Sequence, residues 1–467
     1  MAITGKVSPS RAAALQVLLR LEGNKAHSDD LLHSDLLANL SPADTNLATA
    51  LVMGVLRWQI ALDALILPLL LKPMQRLAEP VTIALRLGAF QLLHMDRIPA
   101  HAAISESVEL CRLTGQPHVA GMVNAILRNL TRQKTPSQPI FEQAPALATR
   151  LSHPDWLVAR WIVAYGRPAV EQILNADQQE PQNAALFSDQ NSVTLIDGVD
   201  PNKSGIPTEA GDQNKFVIPT EGAAEAEGPA SLPLPSTLPN IDPGSRLVAE
   251  IAAAAVPTPT RILDCCAAPG GKTLILASRH TQTPIIATDS SQPRLNAMRD
   301  RIEAFAYASN VQCIRADATD FPKSALFAPT FDLILCDAPC SGTGTLARNP
   351  EIRHRLAPEQ FKQQAQRQRE LLTSALAHLA PGGRLIYSTC SLEPEENEQV
   401  VEAVLAQQQG ISILPIAPFL HGLAEKNIAQ PEEIAAIEAT ALKGNYLRTL
   451  PGVNPFDGFF AAVLQRD

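Results

Sequence analysis

Apolar residues recur at helical spacing through the first 140 positions. Leu47, Leu51 and Val55 share one helix face. That stretch opens with Ser41-Pro42-Ala43-Asp44: a capping serine, a proline at the first helical position and an acid three residues on. Further helices are predicted over residues 11–21, 102–113 (stopped by Gly115) and 119–132. No alternation of apolar and polar positions competes with this pattern, so residues 1–140 are expected to form an all-α domain. Residues 150–187 continue as a helical connector that opens at His153-Pro154-Asp155-Trp156.

From 188 to 243 large apolar residues thin out and Pro, Glu, Ala, Gly and Ser dominate. Within that stretch Asn202-Lys203 and Ile206-Pro207-Thr208-Glu209 return 12 residues later as Asn214-Lys215 and Ile218-Pro219-Thr220-Glu221. Two copies are too few for a solenoid, which needs about three, so a flexible insertion is expected. From 245 to 467 strands alternate with helices. Strands are predicted at 261–264, 285–289, 311–317, 331–337 and 384–388, with 411–416 and 459–464 closing the series. The clearest helix spans 358–379 and ends at Ala380-Pro381-Gly382-Gly383. This alternation predicts an α/β class with a parallel, doubly wound, Rossmann-like sheet behind the all-α segment.

Composition bounds the reading. A chain of 467 residues with 46% hydrophobic and 18% charged residues has core enough for two or three domains. The longest apolar run, 61–71, is interrupted by Asp63 and Pro68 and falls short of the ~20 residues of a membrane span. No secretory signal pattern stands at the N-terminus, so a soluble, cytoplasmic protein without a membrane partner is expected. The seven cysteines show no paired CxxC spacing, and a disulfide framework is not expected. The net charge of −9 speaks against a nucleic-acid partner. It is unevenly spread, however: residues 1–140 carry +3 and the remainder −12.

In doubly wound sheets ligands bind beyond the carboxyl ends of the strands, where strand order reverses. Here those ends read Asp264-Cys265-Cys266, Asp289, Asp317, Asp337 and Thr389-Cys390. A single Asp there is as readily a helix cap or turn residue; five reactive or acidic ends together point to a site. The first strand runs into Cys266-Ala267-Ala268-Pro269-Gly270-Gly271-Lys272-Thr273, a turn whose glycines let the backbone approach a ligand ahead of a helix N-terminus. A P-loop would need glycine where Cys266 stands, and G-x-G-x-x-G is missing. Asp289 follows the glycines at about the distance where an acid binds ribose hydroxyls. The ligand is read as an adenosine compound without essential phosphates, and S-adenosyl-L-methionine fits.

Two thiols stand on the same edge, in Asp337-Ala338-Pro339-Cys340-Ser341-Gly342-Thr343-Gly344 and in Tyr387-Ser388-Thr389-Cys390-Ser391. Cys313 and Cys336 lie within strands and read as small core residues. No histidine completes a ligand set, so no metal is expected. Thiols beside a methyl donor suit one chemistry. Carbon 5 of cytosine is too weak a nucleophile until a thiolate adds at carbon 6 and makes it enamine-like; a carboxyl group on ring N3 and the exocyclic amine stabilises the adduct. The residues alone leave open which thiol attacks.

These motifs resemble the RNA cytosine-C5 methyltransferase family of the Nop/Sun type. The likeness continues through Asn349-Pro350-Glu351-Ile352-Arg353, Glu393-Pro394-Glu395-Glu396-Asn397 and Asp457-Gly458-Phe459-Phe460-Ala461. It implies Cys390 as nucleophile, Cys340 in elimination and product release, and Asp337 on the cytosine edge. It also implies that Cys266, Ala267, Ala268, Pro269, Gly270, Gly271, Lys272, Asp289, Asp317 and Asp337 line the S-adenosyl-L-methionine site, with Asp289 on the ribose and Asp317 near the adenine.

The first domain resembles the NusB fold, an RNA-binding helical module. The matching stretches are Ile98-Pro99-Ala100, Ile104-Ser105-Glu106-Ser107-Val108-Glu109-Leu110 and Val123-Asn124-Ala125-Ile126-Leu127-Arg128. Arg112, Arg128, Arg132 and Lys134 are its candidate phosphate contacts, with a solvated helix face as the plain alternative. The fusion of the two resembles bacterial enzymes acting on 16S rRNA, and a monomer is expected. Transfer RNA is the alternative substrate, and a non-catalytic RNA-binding assembly factor the alternative class. One departure concerns an Arg-x-Asn stretch usual in the family, replaced here by Ala184-Ala185-Leu186-Phe187-Ser188-Asp189-Gln190-Asn191.

Overall fold

The computed structural model describes residues 7–23, 27–70, 76–133, 146–181, 187, 238–321, 327 and 330–467. Lys134, the Arg-x-Asn replacement apart from Phe187, and the insertion as far as residue 237 lie outside them.

The N-terminal part is helical. Its main helices are Pro9–Gly23, Pro42–Ile66, Glu79–His94, Ala100–Leu113 and Ala120–Gln133. Ser41 caps the second of these: its hydroxyl accepts the backbone N–H of Asp44 at 3.2 Å and donates to the Asp44 carboxylate at 2.8 Å. Leu51 and Val55 are buried in the bundle core and Leu47 packs on its margin. Among the described residues this helix with the turn after it, Pro42–Leu69, is long and apolar enough by length and composition to cross a membrane, and half of its most apolar 18-residue window is buried.

The C-terminal part is built on a sheet of nine strands: β1 (Ile262–Asp264), β2 (Ile285–Asp289), β3 (Val311–Arg315), β4 (Phe331–Asp337), β5 (Leu379–Thr389), β6 (Ile411–Leu414), β7 (Leu442–Lys443), β8 (Tyr446–Arg448) and β9 (Phe460–Arg466). The order is β3-β2-β1-β4-β5-β9-β8-β7. The first five are parallel, and β9 closes the series antiparallel to β5. The doubly wound α/β class is therefore observed, with order reversing between β1 and β4. β8 and β6 divide the far edge of β9, β8 on Phe460–Ala461 and β6 on Val463–Arg466. β1 and β2 are buried throughout, as parallel strands covered on both faces must be.

Two details differ from expectation. β3 ends at Arg315, so Asp317 sits two residues beyond the strand. The long helix stops at Ala377, because β5 already begins at Leu379. The residues read as the helix stop form a bulge: Phe331 pairs with Leu379 and Leu333 with Arg384, with Gly382 left-handed at φ 72°. β7 and β8, of two and three residues, are too short to leave a sequence pattern.

Between the two parts, helices Asp155–Tyr165 and Arg167–Ala176 pack Trp161, Val170 and Ile173 against Leu346, Phe361 and Leu392. All three bodies meet at Arg353, which is 1% exposed. Its guanidinium donates to the carbonyls of Ser152 (3.1 Å), Asp177 (3.3 Å), Leu346 (3.3 Å) and Arg57 (3.5 Å). Neighbours repeat the pattern. Arg57 donates to the Ala347 carbonyl, His354 bonds the Leu56 carbonyl, and Glu351 accepts both the N–H and the hydroxyl of Ser28. Burial lowers the Arg353 pKa to about 10, so the group stays charged at neutral pH, with buried Asp177 nearby.

Removing a buried charge from such a network costs about 3–5 kcal/mol and leaves carbonyls unbonded. Arg353→Met should lower the thermal midpoint by about 5 °C or more. It should also speed amide exchange along residues 346–356. An unchanged midpoint would show that the junction does not depend on this side chain.

Candidate active site

The loop after β1 makes a tight turn. The Ala268–Pro269 peptide is cis, and the Gly270 N–H returns to the Ala267 carbonyl at 2.7 Å. Gly270 is left-handed at φ 94°, where a side chain is strained, and a Cβ there would also stand 3.0 Å from Met298 Cγ. Helix Gly271–Arg279 starts directly after it, with its first N–H groups lacking intrahelical acceptors. Asp264, at the end of β1, is 1% exposed and accepts the Thr273 hydroxyl on Oδ2 at 2.7 Å. Its Oδ1 is buried with no hydrogen-bond partner. Burial raises the Asp264 pKa to about 7, against the lowering effect of the Thr273 hydroxyl.

Asp289 ends β2, 4% exposed. Its Oδ1 accepts the Ser291 N–H (2.8 Å) and its Oδ2 pairs with Arg294 (3.2 Å). Arg294 also donates to the Ala268 carbonyl and so ties Asp289 to the cis turn. Asp317 is exposed, and the Thr319 N–H and hydroxyl hold its carboxyl below the usual range.

Across the switch point, Asp337 ends β4 and is held on both oxygens. Ser388 donates to Oδ1 and the Lys272 ammonium to Oδ2, each at 2.7 Å. Burial disfavours the Lys272 charge, but Asp337 and Asp242 outweigh it and raise its pKa, with Cys390 adding in the same sense. Cys340 and Cys390 come together with their Sγ atoms 3.3 Å apart, both partly accessible. The Cys340 thiol is pushed well above its ordinary pKa by its hydrogen bond to Cys390 and by burial, so Cys340 holds its proton in this state.

Of the residues singled out in sequence, Cys266 to Lys272, Asp289, Asp337, Cys340 and Cys390 converge on one sheet edge, with Asp317 at its rim. Arg112, Arg128 and Arg132 lie elsewhere, on the helical part. They are exposed and line a cleft of about 660 Å³ between helices Ala100–Leu113 and Ala120–Gln133, where Arg112 pairs with Glu109. Among the described residues no group of three or more His, Cys, Asp or Glu side chains is arranged to hold a metal ion. All seven cysteines are free thiols.

Three features were not picked out individually from the sequence. Ser388 and Arg294 orient Asp337 and Asp289. The loop holding Gly458 closes on the Cys340 loop: its N–H bonds the Gly344 carbonyl at 2.7 Å, so close that a Cβ on Gly344 would lie 2.1 Å from the Gly458 oxygen. Arg348 fastens the same loop through Asp457 at 2.6 Å. The glycines of both motifs were the available signal.

Residues 254–465 match the family described as 16S rRNA methyltransferase RsmB/F, and residues 8–132 match the NusB family. The probable ribosomal RNA small subunit methyltransferase B of Bacillus subtilis is 30% identical, with 99% of each chain aligned. The chain belongs to the RsmB/F methyltransferase family. The ribosomal RNA small subunit methyltransferase B of Klebsiella pneumoniae is also 30% identical, over 92% of each chain. The solved structure of PH0851 shares the fold over 100% of both chains, with a TM-score of 0.67 at 21% identity.

The buried Asp264 carboxyl has a testable signature. Its raised pKa means the folded state holds the proton more tightly than the unfolded chain, so stability is fully present near pH 4 and falls as pH rises toward about 7. Asp264→Asn should flatten that decline in the difference between the two proteins' pH–stability curves, measured by urea unfolding. Parallel curves from pH 4 to 8 would rule out this titration.

Proposed function

We propose that this protein transfers a methyl group from S-adenosyl-L-methionine to carbon 5 of a cytosine in 16S rRNA, through a covalent bond between Cys390 and carbon 6. The observation that carries the reading is the pair of thiols 3.3 Å apart beside a doubly held carboxylate. The names of the full-length relatives support the substrate class.

The cradle fits the methyl donor on its own chemistry. The partnerless Oδ1 of Asp264 and the glycine turn, with no room for a side chain at Gly270, suit an ammonium and a close backbone approach. Residues Cys266 to Lys272 with Asp289 and Asp317 would hold it, Asp289 on the ribose and Asp317 near the adenine. When bound there it supplies an electrophilic methyl group on a sulfonium.

The protein's part is acid–base and nucleophilic. Cys390, as the thiolate, bonds to carbon 6, and the carbon 5–carbon 6 π pair becomes available on carbon 5. Asp337 hydrogen-bonds the cytosine edge, its orientation fixed by Ser388 and Lys272. After methyl transfer, carbon 5 carries both the methyl group and its hydrogen. Cys340, its own proton having passed to solvent, takes that proton as thiolate; the C–H electron pair restores the carbon 5–carbon 6 double bond, and Cys390 leaves as thiolate. Alkylation makes Cys390 neutral, which removes a cause of the high Cys340 pKa, so Cys340 releases its own proton to solvent at that stage and is available as thiolate when a base is required. The cleft arginines would contact phosphate.

Cys390→Ala should abolish methyl transfer and form no RNA adduct. Cys340→Ala should accumulate a protein–RNA complex that survives denaturing gels. The reverse pattern would overturn the assignment of roles. Bisulfite sequencing of rRNA and tRNA from cells lacking the protein decides the substrate; unchanged 16S rRNA cytosines would refute it. For the cleft, Arg128→Ala should weaken RNA binding and reduce the salt slope by about 1. An unaltered slope would remove Arg128 from the interface.

A further inference from the structure

One buried carboxylate outside the thiol pair grips both loops that carry it. Glu396 lies in the short turn Pro394–Glu396 and is 0% exposed. Its Oε1 accepts the backbone N–H of Ser341 at 2.9 Å and Gln368 Nε2 at 3.3 Å. Its Oε2 accepts the hydroxyls of Ser341 and Ser391. Ser341 directly follows Cys340 and Ser391 directly follows Cys390. Gln368 also bonds the Pro339 carbonyl at 2.9 Å, so the residue before Cys340 joins the same cluster. From β5, the Tyr387 hydroxyl fixes the Glu396 backbone through its carbonyl at 2.7 Å.

We propose that Glu396 is a positioning residue that sets the separation of Cys340 and Cys390 by holding the residue next to each. The choice of side chain follows from the donor count. Four N–H and O–H groups converge on two oxygens, and an ionised carboxylate is acceptor-only. A glutamine, the same size, would turn its NH₂ group either toward the Ser341 and Gln368 N–H groups, leaving them unbonded, or toward the two hydroxyls, which would have to reverse and accept. Burial raises the Glu396 pKa while the Ser341 and Ser391 hydroxyls oppose that rise. The two loops are also joined directly, by the Gly344 N–H on the Cys390 carbonyl and the Leu392 N–H on Thr343 Oγ1, each at 2.9 Å, and the carboxylate adds the hold on the residue beside each sulfur. The two serine hydroxyls also hydrogen-bond each other at 3.1 Å, sharing this common acceptor.

The inference rests on the two-thiol reading above, and predicts where in that reaction the loss falls. Attack by Cys390 needs one thiolate and tolerates loosening; elimination needs Cys340 at carbon 5 while Cys390 is still bonded to carbon 6. Loosened loops should stall the second step.

Purified full-length Glu396→Gln is assayed with S-adenosyl-L-methionine and 16S rRNA, with Cys340→Ala as control. Expected are a fall in kcat of about ten-fold or more, KM within about two-fold, and a covalent adduct on denaturing gels. The thermal midpoint should stay within about 3 °C of wild type. Ser341→Ala, which deletes one donor and leaves the carboxylate, should show the same pattern more weakly, and decides the matter if Glu396→Gln does not fold. If Cys340→Ala accumulates adduct but neither of these variants does, Glu396 has no positioning role. If Cys340→Ala itself gives none, the assignment of thiol roles fails first.

Discussion

The site depends on the parallel pairing of β4 with β5. That ladder sets Asp337 opposite Ser388, and the Ala338 N–H continues it to the Ser388 carbonyl at 2.8 Å. Cys340 and Cys390 follow within three residues, so two sulfurs 50 positions apart in sequence arrive at 3.3 Å. A slip of one residue would turn every side chain to the opposite face and part the thiols from the carboxylate. β9 prevents such a slip by pairing with the whole outer edge of the active stretch, from Arg384 to Thr389. The reactive groups ride on loops, while their positions belong to the sheet.

Those loops are also the joints of the molecule. The chain beyond Cys340 runs through Leu346 and Ala347 to Arg353, whose carbonyl partners come from the N-terminal helix, the connector helices and its own loop. The chain beyond Cys390 reaches Glu393, which accepts the Trp161 indole N–H at 2.8 Å and pairs with Arg160. Each thiol loop is thus bonded outward to another body within a dozen residues. The helical part cannot shift freely against the thiols without breaking buried polar contacts, and these are costly to leave unmade.

Much of this was legible in sequence, for identifiable reasons. Helical periodicity and the Ser41 cap gave the bundle because local capping chemistry decides there. Strand ends marked by Asp264, Asp289, Asp337 and Cys390 gave the site because a doubly wound sheet gathers its strand ends at one edge. What stayed hidden was non-local. Glu351, Arg353 and Glu396 stood inside stretches quoted for family likeness, and nothing in their spacing says that one docks a helix and another clamps two serines. The role of Gly458 hinges on contact with Gly344, over a hundred residues earlier. Asp317 shows the opposite error: it reads as a strand end but lies past β3, bonded to its own turn at Thr319.

Net charge is a poor guide to the surface, for a structural reason. The formal −9 counts every carboxylate alike. Glu351 is capped by Ser28, Glu250 is paired with Arg279, Glu393 with Arg160, and Glu396 is enclosed by serines; all four are buried. The two arginine pairs already cancel within that sum, and the other two carboxylates, enclosed by hydrogen-bond donors, lie away from the surface that a ligand meets. The three cleft arginines are exposed, on the part of the chain whose own count is positive. A phosphate approaching that cleft meets those side chains before it meets the sum, so an acidic total is compatible with a basic face.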